Sequence, residues 1–560
     1  MYKTLTVLLL LASLLLGCVP ASTPTSPVPV SDTAAPAEAF VPTPEERPLW
    51  WDDAVFYEIF VRSFYDSDGD GIGDFNGVTE KLDYLNDGDP NTSTDLGVTG
   101  IWLMPIFPSP SYHGYDVTDY YDVNPQYGTM DDFKKLLSEA HKRGIRVIID
   151  LVLNHTSDNH PWFKEAKSDA NSPYRDWYIW RDVDPKYRGP WGERVWHPSP
   201  TGYYYGIFEA FMPDLNYNNP EVTQTMGEVA TFWLKDIGVD GFRLDAAKHL
   251  IEEGAKQDNS VSTHKWYIDF RPVYKAANPE AVTVGEFFGD TPQTLADYTS
   301  GNQLDLAFNF NLAEAFIGSA NTGQASYTAN ALKISNNVLP EAQYAPFLTN
   351  HDQNRVMSVL RGNTAKAKVA ATLLLTAPGT PFIYYGEEIG MTGAKPDELI
   401  RTPMQWSAGT NAGFTTGTPW EMPNTDYAQG VNIAEQAGDP TSLLSHYRAL
   451  IAIRSSHPAL RTGEIYIFDT ANKGLFASLR VDGTEAILVL VNLTEAPISD
   501  YALSLQSSPL EPGQYDWLSL LGGGEFSSLS VNEGGKVAGF VPLAEVPAYT
   551  TLISILTPIP

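Results

Sequence analysis

Cysteine is nearly missing from the chain. Cys18 stands alone among 560 residues, so no intrachain disulfide can staple the fold. Basic side chains are also scarce: 36 Lys and Arg stand against 68 Asp and Glu. The resulting formal charge of −32 repels phosphate backbones and anionic headgroups and argues against nucleic acid as a partner. Long apolar runs are lacking too. The run at 7–16 is too short to span a bilayer. With 43% hydrophobic and 19% charged residues the chain sits near globular averages, which excludes wholesale disorder, collagen-like repeats and a polytopic membrane protein. Aromatic residues, at 12%, are plentiful. They suit either a well-filled core or a groove that stacks on flat ligands, and composition does not choose.

The short apolar run follows Lys3 and has the length of a signal-peptide h-region, removed from the mature protein. It ends in Leu15-Leu16-Gly17-Cys18, which resembles the lipobox of bacterial lipoproteins. That resemblance implies cleavage before Cys18, acylation of Cys18 and a lipid-anchored, extracytoplasmic protein at the cell membrane; ordinary secretory cleavage is the alternative. The expected organisation begins with a signal peptide at 1–17 and a Pro-, Ser-, Thr- and Ala-rich linker at 18–48.

From Trp50 onward short apolar runs alternate with helical patterns, as in a parallel sheet or barrel. The clearest unit lies within 129–150. Thr129 suits an N-cap with Asp132 three residues on, Phe133, Leu136, Leu137 and Ala140 share one face, and Gly144 suits the C′ position. A buried strand follows at 146–150. Similar strands are expected at 54–61, 99–104, 239–244, 281–285, 304–308, 345–348 and 381–385, which makes an α/β fold, a (β/α)8 TIM barrel. The barrel is expected at 49–155 and 212–462. Residues 156–211 are irregular, aromatic and too long for a plain loop, so they predict an inserted subdomain. From 463 to 560 period-two runs without helices predict a separate antiparallel β domain.

Chemistry in such barrels collects where strands end. Asp245 closes Gly241-Phe-Arg-Leu-Asp245, Glu286 closes Val282-Thr-Val-Gly-Glu286, and Asp352 follows Pro346-Phe-Leu-Thr-Asn-His351. One carboxylate at a strand end is ordinarily a cap or an ion pair. Three, with Arg243, His351 and His155 near them, suit glycosidic cleavage with retention. One attacks the anomeric carbon, one stays protonated to serve the leaving oxygen, and one stabilises the oxocarbenium charge.

Asp150-Leu-Val-Leu-Asn-His155, Gly241-Phe-Arg-Leu-Asp-Ala-Ala-Lys-His249, Val284-Gly-Glu286 and Phe347-Leu-Thr-Asn-His-Asp352 resemble the signature regions of the α-amylase superfamily, glycoside hydrolase family 13. Met212-Pro-Asp-Leu-Asn216 and Gly379-Thr-Pro-Phe-Ile-Tyr-Tyr-Gly-Glu-Glu388 are similar to two further regions. The resemblance spans about 50–460. It implies a barrel with an inserted B domain and a C-terminal β-sandwich. It also implies Asp245 as nucleophile, Glu286 as general acid/base, Asp352 as stabiliser, and Arg243 as the group orienting Asp245. His155, His351 and Tyr115 would hold the sugar on the non-reducing side, and Lys248 and His249 would line the leaving-group side.

Asp66-Ser-Asp-Gly-Asp-Gly-Ile-Gly-Asp74 sets carboxylates at alternating positions around glycines, as hard cations require. An EF-hand needs a bidentate acid at its twelfth position, which here is Gly77. The segment instead resembles the calcium or magnesium loop of the oligo-1,6-glucosidase branch, which implies Asp66, Asp68, Asp70, Asp74 and the Ile72 carbonyl as ligands of a structural Ca2+ (or Mg2+). A solvated acidic turn is the alternative.

Specificity divides the signals. Met212-Pro-Asp-Leu-Asn216 resembles the group intermediate between oligo-1,6-glucosidases and neopullulanases, which includes bacterial lipoprotein α-amylases, and Ala246 after the nucleophile goes with α-1,4 links. Asp116 and Arg401 resemble the pair that closes the pocket of exo-glucosidases. The expectation is an α-1,4-glucan hydrolase acting on starch and maltooligosaccharides. The alternatives are an exo-acting α-glucosidase or a trehalose- or sucrose-active relative and, in another class, a non-catalytic glycan-binding barrel.

Overall fold

The computed structural model describes residues 49–339, 342–524 and 526–559, so the leader, Cys18 and the linker lie outside the described residues. Numbered along the chain, the strands of the central sheet are β1 (Phe56–Ile59), β2 (Gly100–Leu103), β3 (Arg146–Leu151), β7 (Gly241–Leu244), β8 (Val282–Gly285), β9 (Leu306–Phe308), β10 (Tyr344–Ala345) and β11 (Phe382–Tyr384). All neighbours pair parallel, in the order β10-β9-β8-β7-β3-β2-β1-β11. Two further bonds, Thr380 N–H to Tyr344 O at 3.1 Å and Phe382 N–H to Pro346 O at 2.9 Å, bring the sheet's ends together. The result is the expected TIM barrel. Among the described residues no helix is long and apolar enough to cross a membrane.

Alternation along these strands separates two cores. Phe56, Trp102, Ile148, Val284, Leu306 and Phe382 fill the barrel interior, while Tyr57, Ile101, Val147, Ile149, Phe242 and Ile383 meet the surrounding helices. The helix at Met130–Lys142 shows how local sequence sets this layer. The Thr129 side chain accepts from Asp132 N–H, Asp132 accepts in return from Thr129 N–H at 2.9 Å, and Phe133, Leu136, Leu137 and Ala140 are buried. Gly144, with φ of 74°, turns the chain into β3.

Between β3 and β7 lies a small antiparallel sheet of β4 (Trp180–Arg181), β6 (Gly202–Tyr205) and β5 (Trp196–Ser199), with its own core of Val195, Trp196, Tyr205 and Ile207. After the barrel come β12 (Glu464–Ile467), β13 (Leu475–Asp482), β14 (Glu485–Asn492), β16 (Gly513–Leu521), β17 (Leu529–Val531) and β19 (Thr551–Pro558). They form one antiparallel sheet, beside which β15 (Leu503–Leu505) pairs with β18 (Val537–Phe540).

Two buried arginines meet at the seam between this C-terminal sheet and the barrel, and one of them, Arg480, joins the two. The helix Thr364–Thr376 ends against Arg454, whose guanidinium donates to the carbonyls of Leu375 (3.1 Å), Ala377 (2.9 Å) and Gly379, and Arg480, from β13, donates to Thr376 O at 2.6 Å. Orphaned carbonyls at a helix C-terminus are where cationic donors stabilise most.

Candidate active site

The inner face of the strands changes character toward their C-terminal ends. Phe56 is followed two residues on by Glu58, Ile148 by Asp150, Gly241 by Arg243 and Asp245, and Val284 by Glu286. Side chains two apart on a strand point the same way, so the polar groups collect on top of an apolar plug. Register places them side by side: Asp150 pairs with Arg243, Leu244 with Gly285, and Glu286 N–H donates to Leu244 O at 3.1 Å. Gly241, at φ of 155°, crowds β8 so closely that a Cβ would fall 2.0 Å from Val282 O.

Arg243 is the hub. Its Nη1 donates to both oxygens of Asp150 (2.8 and 3.0 Å), to Asp245 Oδ1 (2.8 Å) and to the Tyr115 hydroxyl (3.1 Å), and its Nη2 donates to Glu286. Arg243 and Asp150 are buried; the carboxylates of Asp245 and Glu286 are 12% and 16% exposed, at the floor of an open cavity. Ala246 follows in the left-handed region, φ 49° and ψ 35°, a conformation that a β-branched residue tolerates poorly.

Asp352 completes the trio from the loop after β10. Its Oδ1 accepts from Arg401 Nη2 at 2.8 Å, and its Oδ2 lies 3.0 Å from His351 Nε2. His351 in turn meets the Tyr115 hydroxyl at 2.7 Å and Glu58 at 2.6 Å through Nδ1. Burial opposes a charge on His351, but Asp352 and Glu58 outweigh it and raise its pKa to about 10, so it is an imidazolium at neutral pH. Burial likewise opposes charge on Asp352, yet His351, Arg401 and Arg243 pull it well below the usual carboxylate range. Glu286 moves the other way. Burial raises it, and the neighbouring Asp245 and Asp352 charges add to that against the pull of Arg243. Asp150 is pushed up to about 7, first by burial and then by Asp245, even against Arg243. One cluster thus holds a carboxyl biased toward its proton beside one biased strongly against it.

The cavity measures about 480 Å³ and is lined by Asp245, Glu286, Asp352, Tyr115, His155, Lys248, His249 and Arg401, among others. His155 is buried. Its Nδ1 meets Asn154 Oδ1 at 3.1 Å, and burial lowers its pKa, which leaves a neutral ring. Tyr115 stacks between His113 and His351, at 6.0 and 5.6 Å. Lys248 is tied to Asp290 (2.9 Å) and to Phe288 O (2.7 Å), and His249 Nδ1 lies 2.8 Å from Gln257 O.

Among the described residues no ion pair joins Asp116 to Arg401. Asp116 is 2% exposed and accepts from the Ser109 and Ser111 hydroxyls, while Arg401 is committed to Asp352 and to Asp397 at 3.1 Å. Short-range hydroxyl donors satisfy Asp116 within its own loop. Sequence reasoning did not single out Asp150 and Glu58 as individual site residues. Each is a charge inside an otherwise apolar strand, and that was the available signal.

In the 66–74 loop, Asp66, Asp68 and Asp74 each bring a carboxylate oxygen within 4.8 Å of the others; Asp66 and Asp74 are buried and Asp68 is exposed. Asp70 and Ile72 stand outside this trio, with Asp70 Oδ1 accepting from Ile72 N–H at 2.8 Å. Three anionic oxygens at this spacing match the donor set of a hard divalent cation, which would neutralise their repulsion. The loop also joins distant chain. Thr415 donates to Asp66, and Gly71, at φ of 98°, lies where a Cβ would meet Thr418 O at 1.9 Å. Chelation is expected to lower the melting temperature by several degrees and added calcium to restore it. A melt indifferent to both would remove the cation from this loop.

A fold and a site of this kind define a carbohydrate-cleaving barrel enzyme. The catalytic-domain profile of the alpha-amylase family matches residues 58–463, and the chain belongs to that family, glycoside hydrolase family 13. Alpha-amylase 3 of Dictyoglomus thermophilum is 42% identical over 449 residues, which covers 79% of this chain and 85% of the relative. The crystal structure of the alpha-amylase from H. orenii shares 45% identity at a TM-score of 0.77, covering 90% of this chain and 99% of that one. The oligo-1,6-glucosidase of Parageobacillus thermoglucosidasius is 34% identical, covering 80% of this chain and 91% of the relative.

Proposed function

We propose that this enzyme hydrolyses α-1,4-glucosidic bonds in starch and maltooligosaccharides with retention of configuration, as a member of the group intermediate between oligo-1,6-glucosidases and neopullulanases. The single observation that carries the mechanism is the buried Arg243 guanidinium donating to Asp245 and Glu286 at once. Two carboxyl groups held by one guanidinium stand close together, as a direct nucleophilic attack requires, rather than apart with a water between them.

Asp245 attacks the anomeric carbon, the bond to the glycosidic oxygen breaks, and Glu286 gives that oxygen its proton. Water then loses a proton to Glu286, its oxygen bonds to the anomeric carbon, and Asp245 leaves. Arg243 aims Asp245, and Asp352, held charged by His351 and Arg401, faces the oxocarbenium charge that develops in the transition state of each step. His155 lines the cavity as a neutral ring suited to a sugar hydroxyl. A calcium ion held by Asp66, Asp68 and Asp74, with Asp70 and the Ile72 carbonyl as further ligands, would supply charge neutralisation and loop anchoring.

A maltoheptaoside blocked at its non-reducing end tests the mode of action. Cleavage is expected, and the reading is supported by the lack of an ion pair between Asp116 and Arg401 among the described residues. Resistance would favour the second reading, an exo-acting α-glucosidase. The observation on that side is Arg401 itself, fixed at the cavity by Asp352 and Asp397 beneath the Tyr112 ring, 5.8 Å away. The reading of a lipid-anchored, extracytoplasmic enzyme rests on the sequence around Cys18; transfer to the soluble fraction on Cys18→Ser tests it.

A further inference from the structure

Large apolar side chains at the tips of tight turns are normally avoided, yet Trp191 occupies such a position at the mouth of the catalytic cavity. Residues 189–192 read Gly-Pro-Trp-Gly. Gly192 N–H donates to Gly189 O at 3.0 Å, Pro190 supplies the fixed φ of the second turn position, and Gly192 takes a φ of 86°. The turn tips a short antiparallel pairing, in which Arg188 bridges Arg194. The indole is therefore presented by rigid backbone, and it remains 57% exposed while lining the cavity.

Its neighbours locate it within that cavity. The ring stacks on Phe208 at 5.8 Å, inclined by 28°, and meets His249 edge-on at 5.5 Å. His249 lies four residues after Asp245 and beside Lys248, which is bonded to the carbonyl of Phe288, two residues past Glu286. Trp191 thus stands beside His249 and Lys248 on the side served by the proton donor, while Phe208 beneath it also meets His155 edge-on at 5.5 Å.

Resting on the retaining mechanism above, we propose that Trp191 is the stacking platform for the glucose unit on the leaving side of the scissile bond, and so determines how strongly the enzyme favours oligosaccharides over small glucosyl donors. A pyranose presents a face of C–H groups, and an exposed indole held flat by a second aromatic ring offers the complementary surface. The substrate class is an α-linked glucan of at least two units.

The test compares maltotriose, which fills the leaving side with sugar, with α-glucosyl fluoride, whose leaving group is a fluoride ion with nothing to stack. In Trp191→Ala the ratio of kcat/KM for maltotriose over that for α-glucosyl fluoride is expected to fall about ten-fold, through KM, and Trp191→Phe is expected to recover most of it. A ratio unchanged in Trp191→Ala, whether both substrates suffer equally or neither does, overturns the platform. If the wild type cleaves isomaltotriose in place of maltotriose, the α-1,4 assignment fails. The same ratio, taken with isomaltotriose, still decides the role of Trp191.

Discussion

Asp245→Asn is expected to cut turnover of maltooligosaccharides by about 10⁴-fold or more while the protein stays folded. The amide is nearly isosteric and still meets Arg243, but it cannot form the glycosyl ester on which both steps depend. Asp245→Ala sharpens the assignment. It opens a hole where a small anion such as azide can enter, and with α-glucosyl fluoride the carbon–fluorine bond breaks as nitrogen bonds from the side Asp245 used. The product is the β-glucosyl azide, the inverted anomer. Proton NMR of the anomeric centre checks it, and undiminished turnover in the Asn variant would take the nucleophile's role away from Asp245.

Glu286→Gln should behave differently. Loss of the proton donor is expected to cost about 10²–10⁴-fold on maltooligosaccharides, whose leaving oxygen needs the proton, and far less in the first step with α-glucosyl fluoride, whose fluoride leaves without it. The glycosyl-enzyme then accumulates, and azide captures it from the opposite face as α-glucosyl azide. The pH profile adds an independent readout. Burial, with Asp245 and Asp352, raises Glu286 above its ordinary value, and its protonated form is the active one. Activity in the wild type should therefore persist up to that raised value and fall as pH climbs through it. The alkaline fall should vanish in Glu286→Gln, and its survival would place the titrating acid elsewhere.

What could be read from the sequence was what local rules control. The capping box at Thr129 and Asp132, most of the barrel's strand cores and the acids closing β7 and β8 follow from spacing alone, since side chains alternate between two buried cores along each strand and a strand's last inward residue must point at the cavity. What escaped depended on partners far away in the chain. Asp150 and Glu58 gain their meaning only beside Arg243 and His351, 93 and 293 residues distant. Asp116 has the identity of a pocket-closing charge, and Ser109 and Ser111 of its own loop hold it. The aromatic count likewise left two uses open. Trp196 fills a core at 2% exposure, and Trp191, five residues earlier, is spread on the cavity rim.

The seam between the barrel and the final β sheet bears on how the molecule can be cut. Arg480 belongs to the sheet, yet its guanidinium ends a helix of the barrel, next to Arg454 doing the same from within. Severed after 462, the barrel would keep every residue named on the cavity and lose a cation that satisfies its own backbone, exposing Thr376 and the apolar surface around it. Removing the final β sheet is therefore expected to lower the melting temperature of the barrel although no cavity residue is lost, and a truncated barrel that melts with the full chain would overturn this.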